Sequence, residues 1–146
     1  MTLKQWLKND WLKAETTSRQ EILNLLSIVE RDLVDATGEI SADWQFGIAY
    51  NAALKLCSIL LRAEGYRPAR NLQHYRTIMA LSLILGDERK EDADYLETCR
   101  KVRNTVEYDY AGGATLQDAA DLLAFAKEFR ETVLTWLKEQ HPDLAP

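Results

Sequence analysis

Histidine and cysteine are scarce, two of each in 146 residues, and that scarcity excludes much catalytic and metal chemistry. Neither His74 nor His141 has a glutamate three residues before it, so the Glu-x-x-His pairs of a carboxylate-bridged di-iron bundle are absent. Cys57 and Cys99 stand alone without C-x-x-C spacing, which reads as two buried, reduced thiols of a cytosolic protein. HExxH, the P-loop and GxGxxG are missing, and no nucleophile elbow accompanies the serines. No metal or cofactor is implied. Basic charge is also short: the net charge of −5 excludes a body that attracts nucleic acid as a whole, so any such site is a local patch. Long hydrophobic runs are lacking. The longest apolar stretch, Trp44 to Leu61, is broken by Gln45, Asn51, Lys55 and Ser58, too polar for a membrane span. The first residues, MTLKQWLKNDWLKAE, are charged from Lys4 onward and hold no apolar signal-peptide core, so a soluble, cytoplasmic chain is expected.

What is present is helical periodicity. Apolar residues make up 47% and charged residues 28%, ordinary for one globular domain over 1–146. Leu3, Leu7, Trp11 and Ala14, with Trp6 beside them, predict an amphipathic helix within residues 1–16 that packs on its own bundle. The bundle spans 17–139. Ser18-Arg-Gln-Glu21 reads as a capping box, followed by the stripe Ile22, Leu25, Leu26, Val29, Leu33 and Ala36, ended by Gly38. A third helix from about Ser41 to Gly65 is apolar almost all round, hence central or shared with a dimer interface. The segment EGYRPARN reads as a loop, and a helix from about Asn71 to Leu85 closes at Gly86. Asp87 opens a helix running to about Tyr108, Gly112-Gly113 makes a turn, and Thr115-Leu-Gln-Asp118 caps a last helix. Residues 140–146 are a tail. The predicted fold is all-α, an antiparallel up-and-down four-helix bundle with one or two extra short helices.

The charge is unevenly distributed. Residues 62–76 hold Arg62, Arg67, Arg70 and Arg76 against Glu64, a local excess of three positive charges, with His74 among them. Arg100, Lys101 and Arg103 follow on the fifth helix, whereas GDERKEDADYLE carries six acids and two bases. Arginine's planar fork suits phosphate, and Tyr66, Tyr75, Tyr108 and Tyr110 offer rings on which bases stack. The competing reading is that these arginines pair with the acidic helix across the bundle surface, and Arg103 with Glu107 one turn on.

The stretch RNTVEYDY, with the helical context around it, resembles the hallmark of the HEPN superfamily. There an arginine, a polar residue, a short spacer and a histidine end a core helix, and in one toxin branch the pattern is Arg-x4-His-x-Tyr. Arg103 matches the arginine, Asn104 the polar residue and Tyr110 the trailing tyrosine, while Tyr108 stands in place of the histidine. The resemblance implies a homodimer with the two motifs facing each other across a cleft. It implies RNA or a nucleotide as ligand, with a nucleotidyltransferase as partner in the toxin-antitoxin branch. In that branch the tyrosine matched by Tyr110 is the one the partner modifies. In catalytic members the arginine holds the scissile phosphate and the histidine assists attack by the 2′-hydroxyl, without metal. A phenol is mostly protonated at neutral pH and a poor base, so Tyr108 leaves a binding site with weak or no ribonuclease activity. His74 is the one candidate substitute. The expected site is therefore Arg103, Asn104 and Tyr110, widened by Arg67, Arg70 and Arg76, with Tyr108 or His74 as catalytic candidates. The alternatives are an active metal-independent endoribonuclease and a structural helical dimer.

Overall fold

Among the described residues, four of the six α-helices start where a hydroxyl satisfies one of the first free backbone N–H groups. Thr2, Ser18, Ser41 and Thr115 each accept a bond from the backbone three residues on. The structure, a computed structural model, describes residues 1–108 and 111–146, apart from the side chains of Glu107 and Tyr108. Within these, α1 (Leu3–Lys8), β1 (Leu12–Ala14), α2 (Arg19–Ala36), α3 (Ala42–Ala63), β2 (Tyr66–Pro68), α4 (Gln73–Leu85), α5 (Lys90–Tyr108) and α6 (Leu116–Gln140) follow in order. A 3₁₀ turn, Asp87–Arg89, precedes α5. The all-α bundle is as expected: α2, α3, α5 and α6 are the long helices, with α1 and α4 the shorter additions.

The over-apolar helix is the hub. α3 packs against α2, α4, α5 and α6, and Ala49, Leu56, Ile59 and Leu60 on its inner faces are fully buried. It is long and apolar enough to cross a membrane, yet two thirds (67%) of its most apolar window is buried inside the bundle. Truncating Ile59 or Leu60 to alanine costs about 2–5 kcal/mol. Asp32 of α2, 4% exposed, is the polar pin in this core. It accepts bonds from Asn51 Nδ2 of α3 at 2.6 Å and from the Arg31 guanidinium. Cys57 and Cys99 are buried and form no disulfide, and burial raises both thiols, Cys99 to about 11.

The N-terminus departs from expectation. The helix expected within 1–16 stops at Lys8, and Asp10 takes a left-handed φ of 61°. Asn9-Asp10 is a pair that favours turns and tolerates that conformation. The chain then extends as β1, antiparallel to β2 with Leu12 opposite Pro68, Lys13 opposite Arg67 and Ala14 opposite Tyr66. Leu12, rather than Ala14, is the buried residue, and with Trp6, Leu61 and Ala80 it forms a second small core. The N-terminal segment therefore packs on its own bundle, and EGYRPARN is part strand. The Ser18 box is half made: Ser18 accepts from Glu21 N, but the Glu21 carboxylate takes the Thr17 hydroxyl instead. The 115–118 box is complete.

Candidate phosphate-binding site

Three elements meet on one face of α3. Lys55, Ser58 and Arg62 lie at i, i+3 and i+7, a polar stripe on an otherwise apolar helix. The β1–β2 pair holds Arg67 beside it. α4 begins after Leu72, an exposed non-glycine residue at φ 56°, which brings His74 into the first turn. Between them lies an open cleft of about 250 Å³ lined by Lys55, Ser58, Arg62, Arg67, His74 and Thr77 among others. None of the described residues lining it is a carboxylate.

Next to the cleft, α5 supplies the arginine of the motif. The Arg103 guanidinium carbon lies 5.7 Å from the centre of the Tyr50 ring, and the His74 ring lies 6.4 Å from the same ring. Arg103 Nη1 also reaches Asn104 Oδ1 at 3.5 Å. Desolvation first, and then the positive charges of Arg103, Arg100 and Lys55, hold the His74 imidazole below its ordinary pKa. His74 thus stands where the Arg103 locus and the cleft adjoin, as a neutral imidazole among cations at neutral pH.

The expected residues meet different fates. Arg103, Asn104 and His74 come together, and Arg67 lines the adjoining cleft. Arg70 is exposed on the loop after β2 and is not among the residues lining the cleft. Arg76 does not join the patch. Its guanidinium carbon sits 3.7 Å from the centre of the Trp11 ring and 5.9 Å from that of Trp6, and cation–π attraction ties the N-terminal segment to α4. Tyr110 and the side chains of Tyr108 and of Glu107, the partner considered for Arg103, lie outside the described residues. Arg62 and Arg67 do not pair with the acidic helix; they hold Glu15, Arg67 Nε at 2.5 Å and Arg62 at 3.7 Å, with Glu21 a further 3.8 Å from Arg62. The acids of α5 serve locally: Glu97 holds Arg100 in a two-bond fork and Asp92 holds Arg89. His141 caps α6 and sits 3.4 Å from Glu64.

Two glycines and one carboxylate position the end of α5. Asp43 accepts from Gly112 N at 2.7 Å and Ala114 N at 3.2 Å, tying the turn to the start of α3. Gly112 has a φ of 82°, and a Cβ on Gly113 would meet Val106 Cγ1 at 2.5 Å. The turn therefore seats itself on the last part of α5 only because position 113 carries no side chain. Lys55 and Tyr50 were not among the expected site residues. The spacing of Lys55, Ser58 and Arg62 was a readable signal for Lys55, while nothing local marks Tyr50. Scans of protein-family models, curated proteins and solved structures find no match to this chain.

Proposed function

We propose that this chain is a HEPN-like protein that binds phosphate groups of RNA or a nucleotide, with weak or no ribonuclease activity. The observation that carries the reading is the meeting of Arg103 and His74 at the Tyr50 ring, beside a cleft lined by Lys55, Arg62 and Arg67. Arginine and lysine there supply charge-assisted donors to phosphate oxygens. Weak cleavage follows from Tyr108 standing where the motif has its histidine. The same reading has the protein act in the cytoplasm as a homodimer, partnered by a nucleotidyltransferase in a toxin-antitoxin pair. The dimer is supported by Trp44, 65% exposed beside Val106 near the motif.

One observation favours the active-enzyme alternative. A neutral His74 close to Arg103 is able to take a proton from a 2′-hydroxyl. A single experiment separates the two: RNA binding and cleavage without metal, on wild type, Arg103→Ala, Tyr108→His and His74→Ala. Binding without cleavage, lost in R103A, with cleavage gained in Y108H, supports the leading reading. Wild-type cleavage lost in H74A supports the alternative. Wild-type affinity retained by R103A refutes both.

A further inference from the structure

The arrangement just described leaves one buried group unused. Tyr50, on α3, is 1% exposed, and its hydroxyl has no hydrogen-bond partner among the described residues. Buried polar atoms are paired in the large majority of cases, so such a hydroxyl calls for an account. The polar groups facing it are mostly donors. The Arg103 guanidinium lies over the ring, and the charges of Arg103 and Arg100 are both felt at the phenol. Among the described residues, the carboxylate felt there is Glu97, which already accepts two bonds from Arg100 at 2.6 and 2.9 Å. The His74 ring lies against the same ring from α4. Burial pushes the phenol far up, so it stays protonated and serves as a donor, not as a base. A buried donor with no partner among the described residues, set beside the Arg103 guanidinium, matches a group that is all acceptor.

We propose that Tyr50 is a further binding residue of the phosphate site, its hydroxyl donating to an oxygen of the same phosphate that Arg103 holds. The proposal rests on the reading that Arg103 binds phosphate. Because the hydroxyl is buried, the ligand oxygen reaches it as the side chains lying against the ring shift; His74, exposed at the start of α4, has room to do so.

The test is Tyr50→Phe, which keeps the ring and deletes only the oxygen. The probe is a fluorescein-labelled ten-nucleotide single-stranded RNA, followed by anisotropy at fixed salt, with Arg103→Ala in parallel. Thermal melting of each chain without RNA completes the set. Tyr50→Phe is expected to weaken RNA binding about tenfold or more, the size of one hydrogen bond to a charged group. Its melting temperature without RNA is expected to equal or exceed that of wild type, because an unmade bond has been removed. Wild-type affinity in Tyr50→Phe alongside loss in Arg103→Ala overturns the Tyr50 assignment and leaves the Arg103 reading standing. Wild-type affinity in Arg103→Ala removes the phosphate reading and this proposal with it. A Tyr50→Phe chain that melts several degrees below wild type reveals a hydroxyl bonded within the fold, and also overturns the assignment.

Discussion

Glu15 occupies the two arginines that the proposed ligand needs, so neutralising it should help binding while slightly harming the fold. Its carboxylate lies 2.5 Å from Arg67 Nε and 3.7 Å from Arg62. The side chains in these pairs are 34–48% exposed, so each contact belongs with screened surface pairs worth about 0.2–1 kcal/mol, not with buried ones. Glu15→Gln should therefore lower unfolding free energy by at most about 1 kcal/mol, read from the urea midpoint. A polyanion no longer has to displace a carboxylate, so affinity for single-stranded RNA should rise roughly twofold to fivefold, the same free energy read as a binding constant. Arg67 is the group released, because Glu21 still faces Arg62. If Arg67 then meets a phosphate, the slope of log K against log salt should steepen by about 0.7. Anisotropy titrations at four salt concentrations measure both quantities. A folded Glu15→Gln chain with the affinity and slope of wild type would show that the ligand does not enter the cleft, and the reasoning would fail.

Other perturbations test the site and its supports. Burial and neighbouring cations depress the His74 pKa, so the unfolded chain binds that proton more readily than the folded one. The stability His74 contributes is then present above about pH 6.5 and lost as pH falls through its lower folded value; His74→Gln should remove that part of the pH dependence of the urea midpoint. Bound phosphate favours the imidazolium, so wild-type RNA affinity should rise between pH 8 and pH 6 more than that of His74→Gln. Asp32→Ala leaves the Asn51 amide without its 2.6 Å partner and should cost about 2–3 kcal/mol by urea unfolding; a change below 0.5 kcal/mol would contradict the pin. Asp43→Ala removes both bonds to the 112–114 turn and should cost about 2 kcal/mol, with weaker RNA binding because the end of α5 loosens. Gly113→Ala should destabilise through its clash with Val106, and Val106→Ala in the same chain should recover most of the loss in a double-mutant cycle.

How far the sequence discloses the site depends on whether a signal is local. Helix existence is local: Ser41, Thr115 and the apolar stripes act within a turn or two, and they reappear as caps and buried faces. Lys55, Ser58 and Arg62 are local too, yet they read as interruptions of a hydrophobic run until their spacing of three and four puts them on one face of α3. The meeting of His74 with Arg103 is not local. It needs α4 and α5 both packed on α3 with Tyr50 between them, and helical arithmetic within one segment contains none of that. Arg67 and Arg76 show the same limit, since identical side chains nine positions apart end in a carboxylate pair and on an indole. What separates them is the turn at Asn9-Asp10. By ending α1 it folds Trp11 under Arg76, and by starting β1 it pairs the chain with β2. The Glu15 N–H then bonds the Gly65 carbonyl at 2.9 Å, which leaves the Glu15 carboxylate beside Arg67 and Arg62. The short N-terminal segment thus does more than cover a side of the bundle. It sets which arginine rests on an indole ring and which arginines hold a carboxylate, and so the electrostatic character of the cleft is decided by a segment far in sequence from the arginines that line it.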